Sequence, residues 1–296
     1  MNLRIAIVIP CATLAMLASC ERPAPKPTAT DTASTAPTAT PAETVHTPPA
    51  PIPTAPAIEP QPAKPVFLPS KHGFAFVNAF RGSPLPPSLR GLKSVLGSQV
   101  PERFGLCGGM CMAAADFFHA SVEIPSDAAP PVEGDPLYQY LYDRQLDSFG
   151  GIALPLRVLQ LMAAPDAGPD GLQALTAKEL PRIREKVASG DLVPICIILG
   201  KADGRSKPWD NHQILVYADA TSDEAAPVLR VYDPNFPKDD LATLTFAKTD
   251  DGWTTLLQAH RPGRPKPTEI KVRGLFLTPY TPRTPSSAPT KKKSAD

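Results

Sequence analysis

Apolar side chains recur at helical spacing in the first half of the central region, and shorter apolar runs follow in its second half. Spacing of three and four residues is typical of helices with a buried face. It predicts helices over 105–120, 137–149, 154–163 and 178–188. The first of these is apolar on nearly all sides, so we expect it to be buried.

The shorter runs are rich in Val, Ile and Leu and are bounded by Asp, Gly and Pro, which is typical of strands. They predict strands over 192–199, 212–217, 228–232, 241–246, 253–258 and 270–277. Aromatic residues mixed with small ones predict a further extended strand over 73–80. Because the helices precede the strands, the pattern favours an α+β fold with an antiparallel sheet over a doubly wound fold.

Proline divides the chain into three regions. The chain has 39 prolines in 296 residues, well above the usual ~5 %, and their density is highest in the first 65 residues, with 14, and in the last 16, with three. The stretch between them predicts a single domain over 66–282. Residues 20–65 are mainly Pro, Ala and Thr, and they carry too little apolar surface to offset the entropy of ordering. We therefore expect a disordered tether over 20–65 and a disordered tail over 283–296.

The N-terminus has the pattern of a secretory signal. Arg4 precedes an apolar core over 5–17, which is too short to span a membrane. The core ends in Leu17-Ala18-Ser19-Cys20, which resembles the bacterial lipobox. The resemblance implies a signal peptide over 1–19, acylation of Cys20 and attachment to a membrane; an incidental Cys after a plain secretory signal is the alternative. Glu21, where Asp would favour the inner membrane, implies the outer membrane with the domain facing the periplasm.

The balance of charges and the spacing of acidic residues argue against two classes of ligand, nucleic acids and metal ions. Lys and Arg number 30 and Asp and Glu number 29, for a net charge of +1. This balance argues against nucleic acid as a partner, because nucleic-acid binders carry a basic face. Oxygen-bearing side chains cluster after the predicted strand over 228–232 and could hold a cation: Asp233, Asn235, Asp239 and Asp240. Their spacing is not that of an EF-hand, and we predict neither a metal nor another cofactor.

Five cysteines raise the question of a reactive thiol. Cys11 leaves with the signal and Cys20 is the lipidation candidate, so three remain: Cys107, Cys111 and Cys196. An odd count in an oxidising compartment indicates at least one free thiol. Cys111 and Cys196 lie among apolar neighbours and are expected to be packing residues. Cys107 stands where a glycine-rich loop becomes a helix, and a helix N-terminus stabilises a thiolate. It is the candidate nucleophile; a structural Cys at a tight turn is the alternative.

A nucleophilic thiol needs a base within hydrogen-bond reach. His119 lies twelve residues along the same helix, or about 18 Å away, and cannot reach Cys107. His72 and His260 lie in loops where surface roles suffice. His212 begins a predicted strand after a polar loop, where a base can face a cleft; a satisfied histidine at the sheet edge is the alternative.

A third group must orient the base. If 212–217 and 228–232 pair as a hairpin, the start of the first strand lies near the end of the second. Asp233 and Asn235 follow the second strand, and either one can then hold the imidazole of His212. Ordinary turn chemistry is the alternative reading of Asp233-Pro234-Asn235.

The order Cys107, His212, Asp233 resembles the papain-like cysteine peptidase superfamily. The Cys-Gly start is similar to the double-glycine leader peptidases of bacteriocin exporters. Four segments resemble a group of bacterial papain-like proteins: Gly105–Met110, Asn211–Gln213, Tyr232–Asn235 and Arg273–Phe276. The resemblance implies a papain-like fold in which N-terminal helices, the nucleophile helix among them, pack on a C-terminal antiparallel sheet. It implies a triad of Cys107, His212 and Asp233, with Asn235 as the alternative third member.

The sequence departs from that pattern at the oxyanion donor. Papain and the leader peptidases carry a Gln six residues before the nucleophile, where this chain has Pro101. Gln99 and Asn78 are the candidate replacements. The expected function is a membrane-anchored extracytoplasmic thiol hydrolase, a peptidase or amidase, acting on a peptide, a protein or peptidoglycan stem peptides. The alternative is a catalytically weak or inactive lipoprotein that acts as a binding, adaptor or immunity protein.

Overall fold

The computed structural model of the chain describes residues 65–82 and 103–285. The predicted signal peptide, Cys20, the tether up to residue 64, Gln99 and the tail from residue 286 lie outside the described residues. The helices, strands and contacts described below all lie within these two ranges.

The predicted helices are present, and one of them is longer than predicted. The described α-helices are α1 (Pro69–His72), α2 (Cys107–His119), α3 (Pro136–Phe149), α4 (Ala153–Ala163) and α5 (Leu172–Ala188), with a 3₁₀ turn at Pro208–Asp210. Helices α2, α3 and α4 agree with the prediction within two residues. Helix α5 begins six residues before the predicted start at 178, because Leu172 and Thr176 extend its buried face by more than a turn.

The strands form one large antiparallel sheet and one short ladder. The ladder joins β1 (Phe80–Arg81) to β2 (Arg103–Phe104). The sheet contains β3 (Val193–Ile198), β4 (His212–Asp219), β5 (Val228–Tyr232), β6 (Thr243–Thr249), β7 (Gly252–Ala259), β8 (Thr268–Val272) and β9 (Gly274–Leu277). Its order is β8-β7-β6-β5-β4-β3-β9, and every pair is antiparallel. The expected α+β class with an antiparallel sheet is therefore confirmed.

The last predicted strand, 270–277, is wrong as a single element. Strand β8 pairs with β7 at one end of the sheet, and β9 pairs with β3 at the other end. Only Arg273 separates the two strands in sequence, so the two ends of the sheet must approach each other and the sheet curls. Arg273 makes this crossing possible: its guanidinium bonds Asp166 and the carbonyls of Ala164 and Gly200.

The strand expected over 73–80 is also wrong. Only Phe80 and Arg81 are extended in a ladder, and the backbone before them is irregular. The Phe74 N–H donates to the Tyr232 hydroxyl at 3.3 Å, and the Asn78 N–H donates to the Pro234 carbonyl at 3.0 Å. The aromatic spacing reflects burial of Phe74, Phe76 and Phe80 rather than strand pairing, because the backbone bonds here are made to a side chain and a turn.

Apolar cores lie on both faces of the sheet. Leu215 of β4 packs in the core that contains α2 and α3, whereas its neighbours Ile214 and Val216 pack in the core that contains α5. This alternation follows from the two-residue period of a strand. Because β3 is buried at all six positions, its sequence is continuously apolar. Helix α2, which begins at Cys107, thus packs on β4, as expected.

Helices α2 and α3 approach unusually closely at the start of α2. A Cβ built on Gly109 would lie 2.1 Å from the Leu141 carbonyl oxygen. The absence of that atom lets the Gly109 N–H donate to Gln145 Oε1 at 2.9 Å. The close approach fixes the first turn of α2 against α3.

A buried ion pair joins α2 and α3 to the segment after β9. Asp116 is fully buried, and Arg144 Nε lies 2.8 Å from its Oδ2. The Tyr140 and Tyr280 hydroxyls donate to the same carboxylate at 2.7 and 2.9 Å, and so does the Arg283 backbone N–H at 2.9 Å. The Asp116 carboxylate accepts hydrogen bonds from four groups, which offsets the cost of burying it.

Within the described ranges, no helix has both the length and the apolarity needed to cross a membrane.

Candidate functional site

Cys107 is the first residue of α2, and its side chain is half-buried and free of any disulfide. Leu106 precedes it without a side-chain cap, and in the first turn of the helix the Gly109 N–H is taken by Gln145 Oε1. The backbone N–H groups of Gly108 and Gln213 point at the sulfur. A thiolate at this position is therefore stabilised by backbone donors and by the helix dipole.

His212 is the first residue of β4 and is 7 % exposed. Its Nε2 lies 2.7 Å from Asp233 Oδ1. Its ring also interacts with the Cys107 thiol and lowers the pKa of that thiol, which places the imidazole beside the sulfur. Because Asp233 holds Nε2, the nitrogen left for the thiol is Nδ1. The imidazole thus bridges the sulfur and the carboxylate, as the triad requires.

Asp233 follows β5 directly and is 1 % exposed. Its Oδ1 accepts the Asn235 backbone N–H at 2.8 Å, and the Phe236 N–H donates to the Asp233 carbonyl at 2.9 Å. These bonds form an Asx turn, a local structure that Asp and Pro favour. The turn chemistry proposed as the alternative is present, and it directs the carboxylate at His212. The turn is therefore compatible with a carboxylate that holds the imidazole of His212.

Proximity shifts the pKa values of the thiol and the imidazole in opposite directions. Burial alone would raise the pKa of Cys107, but the hydrogen bond and charge of His212 and the backbone N–H groups of Gln213 and Gly108 together outweigh it and lower that pKa. Burial would lower the pKa of His212, yet the charge of Asp233 and its hydrogen bond raise it from 6.5 to about 10. The combination favours a thiolate paired with an imidazolium at neutral pH.

The candidate oxyanion donor Asn78 lies beside the nucleophile, with both ends of its amide engaged. Its Oδ1 accepts the Leu106 N–H at 2.6 Å, and its Nδ2 donates to Asn235 Oδ1 at 3.2 Å. The Nδ2 of Asn235 lies 3.3 Å from His212 Nε2. Asn78 and Asn235 are thus both brought to the site, but neither takes the place of Asp233 beside the imidazole. Gln99 lies outside the described residues.

The remaining histidines and cysteines do not join the triad. The ring of His119 stacks on Tyr280. The backbone N–H of His260 donates to Asp239 Oδ2 at 2.6 Å. The ring of His72 accepts the Leu68 N–H. Cys111 and Cys196 are buried, and burial raises the pKa of both thiols, as expected of packing residues.

Sequence reasoning missed a buried amide network behind the nucleophile. Gln145 Oε1 accepts the Gly109 N–H, and its Nε2 donates to Ser148 Oγ at 3.3 Å. Gln213 Nε2 donates to the same hydroxyl at 3.0 Å. The signal was available: Gln145 and Ser148 lie on the apolar face of α3, and a polar residue on a buried face needs a partner.

The described part of the chain contains no cluster of three His, Cys, Asp or Glu residues suited to a metal ion. The acidic residues after the site are engaged otherwise. Asp240 accepts the Ser70 N–H and hydroxyl at 2.8 and 2.6 Å, and Asp239 accepts the Leu241 N–H at 3.0 Å.

Comparison of the chain with protein-family models, curated proteins and solved structures gives no match. A half-buried thiol, an imidazole bonded to it and a buried carboxylate form the arrangement that activates a nucleophile in acyl transfer.

Proposed function

We propose that the protein is a papain-like thiol hydrolase, a peptidase or amidase. The observation that carries the proposal is the position of the His212 ring, which lies 2.7 Å from Asp233 Oδ1 and lowers the pKa of the Cys107 thiol. Burial of the carboxylate and the paired pKa shifts support activation rather than simple packing, because a packing cysteine has a raised pKa, as Cys111 does.

In the first half of the reaction, the Cys107 thiolate attacks the carbonyl carbon of the scissile amide and forms a C–S bond. The carbonyl π electrons move to oxygen, and backbone N–H groups at the start of α2 face the developing charge. The intermediate collapses, the C–N bond breaks, and His212 gives the Nδ1 proton to the departing amine. The product of this half is a thioester on Cys107 and a free amine.

In the second half, water attacks the thioester carbonyl and His212 accepts a proton from it. The C–S bond breaks, the acid product leaves, and the thiolate and imidazolium are restored. Asp233 stays ionised throughout and keeps the proton on Nε2, so that Nδ1 alone exchanges protons with the substrate. A general acid and base placed in this way contributes about 10²–10⁴ in rate.

We further propose that the enzyme is anchored through acylated Cys20 in the bacterial outer membrane and faces the periplasm. The lipobox-like residues before Cys20 and the Pro-rich composition that follows support this placement. Substrates are then extracytoplasmic peptides, proteins or peptidoglycan stem peptides.

One observation favours the second candidate, a lipoprotein that binds on this fold without efficient catalysis. The Asn78 amide, the described side-chain candidate for the oxyanion site, already donates to Asn235. Peptide binding without turnover is the expectation if the backbone N–H groups alone stabilise the oxyanion poorly.

The test uses the full chain and a fluorescent epoxysuccinyl peptide, which alkylates activated thiols. We expect Cys107→Ser to abolish labelling at pH 7 and Cys111→Ser to leave it intact, because Cys111 is buried with a raised pKa. Release of amines from a peptide library and from muropeptides then separates hydrolysis from binding. Equal labelling of both variants contradicts the assignment of the nucleophile.

A further inference from the structure

Asn78 connects two segments that are far apart in sequence and meet at the site. Its Oδ1 accepts the N–H of Leu106, the residue before Cys107. Its backbone N–H donates to the Pro234 carbonyl at 3.0 Å, and its Nδ2 donates to Asn235 Oδ1. One residue therefore holds both the loop before the nucleophile and the turn that carries Asp233.

The hydrogen bonds of this connection have a defined direction. The Leu106 N–H is only a donor, so the Asn78 atom at 2.6 Å must be the oxygen. The Asn78 nitrogen then faces Asn235 and donates, so the Asn235 atom that meets it must also be the oxygen. The donor Nδ2 of Asn235 is left facing His212 Nε2 at 3.3 Å.

This direction decides between the two candidates for the third member of the triad. An amide nitrogen donates and cannot accept the Nε2 proton of His212, whereas the carboxylate oxygen of Asp233 at 2.7 Å accepts it. If the Asn235 amide were reversed, its oxygen would face Nε2 and compete with Asp233 for that proton. Asn78 is the residue that prevents the reversal.

We propose that Asn78 is a positioning residue, which clamps the loop before Cys107 to the Asp233–Asn235 turn and orients the Asn235 amide so that Asp233 alone accepts the His212 proton. The inference rests on the proposed thiol hydrolase. It replaces the expected role of Asn78 as an oxyanion donor with one that acts through Leu106 and Asn235.

Close packing around the amide supports a fixed orientation. A Cβ built on Gly105 would lie 2.6 Å from Asn78 Nδ2 and 3.1 Å from its Oδ1. The amide therefore lies directly on the backbone of Gly105, two residues before the nucleophile. Any movement of Asn78 is transmitted to the first residue of α2, because the Leu106 N–H follows the amide oxygen.

Positioning and oxyanion stabilisation predict different results in the free enzyme. Alkylation of a thiolate by iodoacetamide is displacement at a saturated carbon and creates no oxyanion. Loss of an oxyanion donor therefore slows amide hydrolysis but leaves the pH dependence of alkylation unchanged. Loss of a positioning residue weakens the contact between Cys107 and His212, so the alkylation profile moves to higher pH.

The experiment measures the rate of Cys107 alkylation by iodoacetamide against pH in the full chain. We expect Asn78→Ala to move the midpoint upward by about one pH unit, which lowers the rate below the midpoint about tenfold. Thr249→Val is the matched control: it removes a single side-chain hydrogen bond of 2.7 Å, to Gln173, on the remote side of the sheet. We expect it to leave the midpoint unchanged.

A double-mutant cycle adds a readout that a general loss of stability does not move. Asn235→Ala breaks the same connection as Asn78→Ala. The double variant should therefore shift the alkylation midpoint no further than the single variant that has the larger shift. If Asn78→Ala fails to fold, Asn235→Ala removes the bond between the two amides without adding a charge. It should also shift the midpoint upward.

The outcomes separate the two proposals. If the wild type has a low alkylation midpoint and Asn78→Ala leaves that midpoint unchanged, the positioning role is overturned. If Asn78→Ala also slows amide hydrolysis, Asn78 belongs to the oxyanion site instead. Additive shifts in the double variant overturn the connection through Asn235. A wild-type midpoint near the ordinary ~8.5 that is also indifferent to His212→Ala overturns the proposed function itself.

Discussion

His212 Nε2 lies 2.7 Å from Asp233 Oδ1, although the register of their strands points to another partner. Leu215 pairs with Tyr232, so continuing the ladder three residues would place Asn235 opposite His212. The ladder stops at Tyr232, and the Asx turn that follows brings the Asp233 carboxylate to the imidazole instead. The identity of the third member is thus decided by a turn and not by strand pairing.

The pH dependence of Cys107 reactivity follows from its pairing with His212. The thiolate is protonated only as the pH falls through its lowered pKa, and the imidazolium persists until the pH rises through about 10. We expect the alkylation rate to reach a plateau below the pKa of an ordinary thiol, which is ~8.5. Iodoacetamide kinetics between pH 4 and 10 measure it.

His212→Ala is the control for this profile, because it removes the hydrogen bond and charge that lower the thiol pKa. Burial is then opposed only by the backbone N–H groups of Gly108 and Gln213, and the midpoint should rise to the ordinary thiol value or above it. Identical profiles for the wild type and His212→Ala would contradict an ion pair.

Asp233 and Asn235 are separated by their effects on turnover. Asp233→Asn removes the acceptor that keeps the proton on Nε2, and the equivalent change in a serine-protease triad lowers kcat about 10⁴-fold. We expect a loss of about 10³–10⁴ in kcat for Asp233→Asn and about tenfold or less for Asn235→Ala. A larger loss for Asn235→Ala in peptide hydrolysis would reverse the assignment.

The buried carboxylate of Asp116 predicts a large effect on stability. Asp116→Asn leaves the guanidinium of Arg144, which is 2 % exposed, without its main counter-charge. We expect the free energy of unfolding to fall by about 3–5 kcal/mol, measured by urea denaturation. Asp143→Asn, an exposed change on α3, should alter it by less than about 0.5 kcal/mol. Similar values for the two variants would show that the ion pair contributes little.

Gly109 tests the close contact of α2 and α3. Alanine in place of a helical glycine with free space around it raises the free energy of unfolding by about 1 kcal/mol. Here the added Cβ would meet the Leu141 carbonyl at 2.1 Å, so we expect Gly109→Ala to destabilise by about 1–3 kcal/mol and to lower Cys107 alkylation. A gain in thermal stability would show that the two helices separate without cost.

Much of the fold was predictable because it depends on local pattern. The spacing of apolar residues located α2, α3 and α4, and runs of β-branched residues located β3, β4 and β5. The prediction failed at 73–80 and 270–277. In the first, burial of aromatics resembled a strand pattern. In the second, an apolar run continued through a crossing between opposite ends of the sheet, which no local period reveals.

The sequence by itself determined which residues are available for chemistry: a cysteine at a helix start, a histidine at a strand start and an acidic turn after the next strand. These are properties of short segments, set by helix dipole, strand period and turn preference. Only the tertiary structure decided how they meet. The choice of Asp233 over Asn235 depends on the direction of hydrogen bonds that pass through Asn78, a residue 157 positions before Asn235. The direction of these hydrogen bonds is set only when donors and acceptors from distant parts of the sequence are packed together.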